Sequence, residues 1–204
     1  MTSVTIIGAG NMGSAIAGIA LAGGNTVQVL ARDTEKAAVN GEVSTGTVGD
    51  AITGDVVILA LPYPAVAEVL SAYDGQLDGK ILVDLTNPLD FATFDDLVVP
   101  ADGSAAAEIA AQVPGAHVLK AFNTNFAATV ATGSVGDQDT TVLIAGDDAA
   151  AKATLAAIIQ GGGLTAVDAG SLKRARELEA VGFLQLTLAV GEKTSWNTGF
   201  ALVK

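Results

Sequence analysis

The sequence predicts an α/β fold, namely a doubly wound, mostly parallel sheet with helices on both faces and a small C-terminal helical extension. Short apolar runs rich in β-branched residues alternate with helical stretches along the chain. One run, residues 55–61, is almost continuously apolar, as in a parallel strand covered on both faces. A sheet of this kind places its ligand-binding loops at the carboxyl ends of the strands.

The elements alternate in a regular order. The first strand, Val4–Ile7, leads through a glycine-rich turn into a helix that begins at Ser14. The unpatterned segment 86–103 is interpreted either as a lid or binding loop or as an ordered surface excursion. Further strands are expected at 26–31, within 43–48, and at 55–61, 80–84, 117–122, 140–145 and 164–168, and helices at 14–22, 34–39, 65–72, 104–112, 148–159 and 171–190.

The chain ends in an amphipathic helix and a short tail. Apolar residues at helical spacing indicate one buried face on helix 171–190. They are Leu172, Ala175, Leu178, Val181, Leu184 and Leu188. We therefore expect a dinucleotide-binding unit over residues 1–170, with the helix and tail of residues 171–204 packed on it in one compact unit.

The composition of the chain argues against several classes of function. The chain has 204 residues, a net charge of −12, no cysteine and a single histidine. The acidic balance argues against nucleic acid or an anionic membrane as a partner, and no apolar run approaches the roughly 18–20 residues of a membrane helix. The cysteine and histidine counts argue against disulfides, thiol catalysis and a metal site. With no signal peptide recognised, we expect a soluble, cytoplasmic protein.

The glycine pattern directly after the first strand is the main functional signal. Gly8, Gly10 and Gly13 form a G-x-G-x-x-G pattern between a strand and a helix. In this setting the first glycine permits a tight turn, the second lets the backbone approach a pyrophosphate, and the third lets the helix pack on the strand. The free N–H groups at the helix start then face an anion. The pattern predicts a Rossmann-type dinucleotide site.

The end of the second strand indicates which dinucleotide is bound. An acidic side chain there binds the ribose 2′-hydroxyl of NAD, whereas an arginine accommodates the 2′-phosphate of NADP. The strand ends in Ala31 and Arg32, and Lys36 adds a second cation one turn later, which favours NADP. Two alternatives stay open: Asp33 would serve NAD if the strand ended one residue later, or Arg32 is only a solvated charge.

Other charged residues have two interpretations each. Lys173, Arg174 and Arg176 either bind an anionic group or pair along the last helix with Glu177 and Glu179. Neither interpretation is favoured by the sequence.

No general acid–base pair stands out. Lys120 is interpreted as structural or solvated rather than catalytic, and His117 as structural. Trp196 is expected to fill core rather than to stack on a planar ligand ring. The absence of an evident acid–base pair fits hydride transfer between two bound rings, which depends mainly on positioning.

Four pieces of sequence carry a family resemblance. They are IGAGNMG at 7–13, LALPY at 59–63, AFNT at 121–124 and VDAGSL at 167–172. In this order, and over nearly the whole chain, they resemble the coenzyme F420-dependent NADP oxidoreductase family. The resemblance implies that Ala9–Met12 contact the pyrophosphate and nicotinamide ribose and that Arg32 and Lys36 hold the 2′-phosphate. It also implies a last helix that helps to form the deazaflavin pocket and a homodimer contact.

The residues expected at the site fall into two groups. The cofactor-binding group is Gly8, Ala9, Gly10, Asn11, Met12, Gly13, Ala31, Arg32, Lys36, Leu61, Pro62 and Tyr63. The substrate-pocket group is Asn87, Pro88, Asn123, Thr124, Arg174 and Trp196.

The sequence thus predicts an NADP-dependent oxidoreductase that moves hydride between NADP(H) and a second bound acceptor, F420 or another flavin-like ring. Residues 123–126 read Asn-Thr-Asn-Phe where the family carries His-Thr followed by Ile-Pro, so the acceptor is less well defined than the NADP half. Two alternatives stay open, an NADPH-dependent reductase of a small imine or keto substrate and a non-catalytic NADP(H) redox sensor.

Overall fold

The strands build one large sheet and one small hairpin. A computed structural model of the protein describes residues 1–33 and 43–203. Within these ranges eight strands form the sheet and two form the hairpin. The strands are β1 Ser3–Ile7, β2 Thr26–Ala31, β3 Val43–Thr47, β4 Val56–Leu59, β5 Ile81–Asp84, β6 His117–Lys120, β7 Ser134–Val135, β8 Gln138–Asp139, β9 Thr141–Gly146 and β10 Thr165–Gly170.

The strand order of the sheet is β10-β9-β6-β5-β4-β1-β2-β3. Strands β1 to β6 run in parallel, whereas β9 pairs antiparallel with β6 and β10 runs alongside β9. The chain moves outward from β1 to β3 and then returns to β4 on the other side of β1, which opens a crevice at the carboxyl ends of β1 and β4. The predicted Rossmann-type, mostly parallel sheet is confirmed.

Helices cover both faces of the sheet. They are α1 Asn11–Ala22, α2 Val66–Ala72, α3 Ala105–Gln112, α4 Ala127–Thr132, α5 Ala149–Gly161 and α6 Ala175–Val190. Because side chains alternate along a strand, Ile6 packs into one core cluster with Ile16 of α1, and Ile7 into another with Ile109 of α3. Each such side chain contributes about 1.5–3 kcal/mol when fully buried. Among the described residues, no helix is long and apolar enough to cross a membrane.

Most predicted elements agree with the observed ones to within three residues. The strand predicted at 26–31 is β2, and the long segment after β5 contains only an isolated bridge between Leu89 and Leu97. Sequence patterning missed α4 and the β7–β8 hairpin, because elements of six and two residues are too short to show periodicity. The helix expected at 34–39 lies outside the described residues.

The final helix differs from its prediction in its start and in its buried face. Residues Leu172–Arg174 form a 3-10 turn before α6 begins. Val181 and Leu184 were expected to be buried but are exposed, whereas Glu179 and Gln185 are buried. With about 3.6 residues per turn, positions spaced exactly three apart drift around the helix axis. The buried face instead follows mixed spacing, through Ala175, Leu178, Glu179, Gly182, Gln185 and Ala189.

Candidate functional site

The glycine turn joins β1 to α1 at the crevice. Gly8 has φ +118°, a conformation that other residues rarely adopt. A Cβ on Gly13 would lie 2.0 Å from the Gly8 carbonyl oxygen, so this residue sets the close approach of helix and strand. Gly10 caps α1 in an extended conformation, with no side-chain hydrogen bond to the cap. The first N–H groups of α1 therefore face the crevice side of the turn as free donors for an anion.

A cavity of about 380 Å³, here called the glycine-loop cavity, lies beside this turn. It is lined by Gly8, Ala9, Gly10, Ala31, Arg32, Asp33, Val48, Ala60, Leu61, Pro62, Ala65 and Val69. The lining combines the turn, the end of β2 and the loop after β4. Most of the residues expected from the sequence to bind a cofactor are thereby brought together.

Arg32 stands at the rim of the glycine-loop cavity. Its Nη2 lies 3.1 Å from Glu68 Oε2, and the two side chains are 71% and 77% exposed. An exposed ion pair of this kind is worth about 0–1 kcal/mol, so a bound phosphate can displace the glutamate at little cost. Asp33 also lines the cavity, and Lys36 lies outside the described residues.

Tyr63 has a different environment from its neighbours Leu61 and Pro62. It is not among the described residues that line the glycine-loop cavity. Its hydroxyl donates a hydrogen bond to the Glu108 carboxylate of α3. Burial, with a further contribution from Glu108, raises the pKa of Tyr63 well above its usual range. Tyr63 is therefore a neutral donor that fastens the loop after β4 to α3.

A second cavity of about 380 Å³, here called the amide cavity, lies on the other side of the turn. Its lining residues are Asn11, Met12, Leu85, Asn87, Phe122, Asn123, Asn125, Phe126, Ala127, Ala128, Leu186 and Trp196. None of these described lining residues carries a titratable side chain. Since residues 8–10 border one cavity and residues 11–12 the other, a single extended ligand can cross the turn and reach both.

Two asparagines connect the amide cavity to the C-terminal helix. Asn87 Nδ2 donates to the Asn123 carbonyl oxygen over 2.9 Å, and Asn123 Nδ2 donates to Asn87 Oδ1 over 2.9 Å and to the Leu178 carbonyl oxygen over 2.8 Å. A Cβ on Gly182 of α6 would lie 2.3 Å from Asn87 Oδ1. The small residue at 182 therefore allows α6 to close against this pair.

Aromatic side chains form another part of the wall. Phe122 is buried and has φ +63°, a backbone conformation that costs a non-glycine residue about 1–3 kcal/mol. Trp196 packs on Phe126, with ring centroids 5.1 Å apart. The core position predicted for Trp196 is wrong, because 54% of the residue is exposed. Its ring instead covers the side of the amide cavity.

Three residues predicted for the substrate pocket are not among the described residues that line the amide cavity. Pro88 and Thr124 are buried directly beside lining residues. Arg174 follows β10, which runs in the direction opposite to β6, so it lies at the other edge of the sheet from the loop after β6. Its Nη1 lies 3.6 Å from Glu177 Oε1. Of the two interpretations, ion pairing is observed for Arg174, which lies in the 3-10 turn directly before α6.

Glu179 does not pair with the cations at the start of the last helix, because it turns inward to a buried lysine. Lys120 is fully buried, and its Nζ donates to Asp84 Oδ2 over 2.7 Å and to the Thr86 carbonyl oxygen over 2.6 Å, and lies 2.8 Å from Glu179 Oε1. Glu179 also accepts from the N–H groups of Ala105 and Ala106 at the start of α3. Burial raises the pKa of Glu179 against the opposing influence of Lys120.

This buried cluster of Asp84, Lys120 and Glu179 fastens α6 to α3 and to the ends of β5 and β6. Lys120 was interpreted as structural or solvated. Its full burial agrees with the structural interpretation and contradicts the solvated one. The sequence offered one signal for it, a lysine placed between apolar residues at the end of a strand. Within the described residues, no group of three or more His, Asp or Glu side chains is arranged to hold a metal ion.

Comparisons with known proteins agree with this geometry. A family described as NADP oxidoreductase coenzyme F420-dependent matches residues 3–88. Over 153 residues the chain is 32% identical to the F420-dependent NADP reductase of Methanocaldococcus jannaschii, an alignment that spans 73% of this chain and 68% of that protein.

Solved structures show the same similarity. A crystal structure from Arthrobacter sp. FB24, assigned as an F420-dependent NADP reductase, matches over the full length of both chains with a TM-score of 0.84 and 27% identity. A hypothetical protein from Sinorhizobium meliloti is 31% identical, with a TM-score of 0.75 over 84% of this chain and 86% of its own.

Proposed function

Because the chain belongs to the coenzyme F420-dependent NADP oxidoreductase family, we propose that it transfers hydride between NADP(H) and a second ring bound in the amide cavity. The second ring is F420 or another flavin-like ring. The dinucleotide lies across the glycine turn, with its adenosine in the glycine-loop cavity and its nicotinamide at Asn11 and Met12.

The observation that carries this proposal is the lining of the amide cavity. Reduction of a keto or imine substrate is aided by a positioned proton donor, and the described lining residues include no titratable side chain. Hydride transfer between two rings requires mainly that they be held face to face in a site that excludes water. Phe122, Phe126 and Trp196 supply flat apolar surfaces for such a ring.

The residues of the chain have distinct roles in this scheme. The N–H groups at the start of α1 bind the pyrophosphate, Arg32 binds the 2′-phosphate, and Leu61 and Pro62 flank the adenosine. NADPH bound there would supply a hydride from nicotinamide C4, and the proton that the acceptor ring also needs would come from solvent. Asn87 and Asn123 set the position of α6 over the cavity.

Mixing the protein with NADPH and oxidised F420 should bleach the F420 absorbance at a rate proportional to protein concentration. Wild-type protein with NADH in place of NADPH is the control and should react more slowly. Unchanged F420 absorbance together with turnover of small imines or ketones would favour the reductase alternative. Tight NADPH binding without transfer to any acceptor would favour a redox sensor.

The choice of NADP rests on Arg32. The Arg32→Ala variant should bind NADP roughly 10- to 100-fold more weakly, because a hydrogen bond to a charged group is worth about 1.5–3 kcal/mol. Its affinity for NAD should not change. Glu68→Gln is the matched control, which removes only the exposed partner of Arg32 and should leave NADP binding as it is. A wild-type preference for NAD, lost in Asp33→Asn, would overturn the assignment.

We also propose that two copies of the chain pair through α6. Val181, Leu184 and Val190 are 37%, 51% and 44% exposed on this helix. Contiguous exposed apolar patches are typical of protein interfaces, and Val181 and Leu184, three residues apart, share one face of the helix. Light scattering of the protein in solution should return twice the mass of the chain, and the mass of one chain would refute the pairing.

A further inference from the structure

Two buried amide oxygens, on residues that line the amide cavity, have no hydrogen bond within the described part of the chain. They are Oδ1 of Asn123 and Oδ1 of Asn125. The two residues are only 5% and 6% exposed, and both line the cavity. Buried polar atoms in folded proteins are nearly always paired, so two orphan acceptors in one cavity wall need an explanation.

The orientation of both amides is fixed by backbone carbonyl groups. Asn123 Nδ2 donates to the Leu178 carbonyl oxygen over 2.8 Å, and Asn125 Nδ2 donates to the Thr141 carbonyl oxygen over 3.0 Å. A carbonyl oxygen only accepts, so turning either amide over would place two oxygens against each other. The nitrogen of each amide therefore donates its hydrogen bond to the protein, and the oxygen is the atom left without a partner in the described part of the chain.

The backbone supports a ligand role for the same loop. Phe122, directly before this pair, adopts φ +63° although it is not glycine. Strained residues of this kind concentrate at binding sites, where the surrounding structure holds them. The loop after β6 thus combines strain with unpaired acceptors beside a cavity of about 380 Å³.

We propose that Asn123 and Asn125 bind an N–H group of an amide or cyclic imide on the ring that occupies the amide cavity. The inference rests on the proposed function and names the chemistry of its ligand. A carbonyl oxygen accepts from N–H and repels a carboxylate, so the pair selects N–H donors over anionic groups. Two sources carry this chemistry, the carboxamide of the nicotinamide and the ring imide of a flavin-like acceptor.

Two pairs of probes separate these sources. The first pair is NADP and its 3-acetylpyridine analogue, in which a methyl ketone replaces the carboxamide and removes its N–H. The second pair is 5-deazariboflavin and its N3-methyl derivative, titrated into protein saturated with NADP. Dissociation constants are measured by calorimetry, so the readout does not depend on turnover.

The wild-type protein should prefer the N–H-bearing member of one pair by roughly five- to a hundredfold, since a buried acceptor left unpaired costs that much in affinity. In Asn125→Leu the ratio should fall toward one. A variant that only loosens the loop weakens both members of a pair equally and leaves the ratio unchanged.

A wild-type ratio near one for both pairs would overturn the inference and assign the two oxygens to bound water. A ratio that survives in both Asn123→Leu and Asn125→Leu would overturn it as well. The proposed function fails separately, by absence of hydride transfer between NADPH and F420. Hydride transfer to F420 without a preference within either probe pair therefore contradicts only the inference. A preference within a pair without hydride transfer contradicts only the proposed function.

Discussion

Replacing Lys120 with methionine is expected to lower the free energy of unfolding by about 3–5 kcal/mol, the usual cost of removing one partner of a buried ion pair. Lys120 is fully buried, and its ammonium group meets Asp84, Glu179 and the Thr86 carbonyl oxygen. Without the cation, two carboxylates face each other in a site with little access to water. Urea unfolding at neutral pH measures the loss.

Two control variants make this prediction specific. Lys173→Met removes the same charge from an exposed position and should change stability by no more than about 0.5 kcal/mol. The triple variant with Lys120→Met, Asp84→Asn and Glu179→Gln removes all three charges and should recover most of the loss. A single Lys120→Met variant as stable as the wild type would show that the buried cluster contributes nothing.

The loss in Lys120→Met should also depend on pH. Burial already raises the pKa of Glu179 in the wild type, and removal of the lysine raises it further. A carboxyl group whose pKa is raised by folding favours the folded state at low pH and opposes it as pH rises through that pKa. The deficit should therefore shrink as the pH is lowered toward the pKa of the glutamate.

Lys120 and Glu179 also show where reasoning from the sequence stops. The strands were predictable because each is a short apolar run between turn residues, and the turn at Gly8 was predictable because its spacing has one well-defined structural use. A surface ion pair was one of the two interpretations that involved Glu179, because an acidic residue on an amphipathic helix is normally solvated. Its partner lies 59 positions earlier in the chain, and no local pattern connects the two.

The candidate site likewise contains residues that could be predicted from the sequence and residues that could not. Gly8 could be identified because its conformation, with φ +118°, dictates a glycine. Trp196 was wrongly expected in the core, since an aromatic residue in a tail is compatible with the core and with a cavity wall. Asn125 was named only within the segment 123–126, which departs from the family pattern. Its proposed role depends on which atom of its amide group forms a hydrogen bond within the protein, and only the folded structure shows this.

The glycines of the turn lead to the second large prediction, because a side chain at Gly8 and a side chain at Gly10 would have different surroundings. At Gly8 a Cβ would lie 2.1 Å from the Ala60 carbonyl oxygen, and φ is +118°. Gly8→Ala should therefore destabilise the fold by about 3 kcal/mol or more, from backbone strain and from displacement of β4. Urea unfolding of the purified variant measures this.

Gly10→Ala is the matched variant at the next glycine. Gly10 has φ −75°, which alanine adopts freely, and a Cβ there would meet nothing within 4 Å. Its unfolding free energy should fall by no more than about 1 kcal/mol, the cost of alanine at a helix N-cap. In the proposed binding mode the pyrophosphate approaches the backbone at the open space beside Gly10, so we expect NADP affinity to fall at least roughly tenfold, or about 1.4 kcal/mol.

The two variants together separate folding from binding. Gly8→Ala weakens NADP binding only because the turn itself is lost, whereas Gly10→Ala keeps the turn and obstructs the ligand. Wild-type NADP affinity in a folded Gly10→Ala variant would place the pyrophosphate elsewhere and remove the dinucleotide from this turn. Equal stability of Gly8→Ala and the wild type would contradict the contact between Gly8 and Ala60, on which the position of the whole crevice depends.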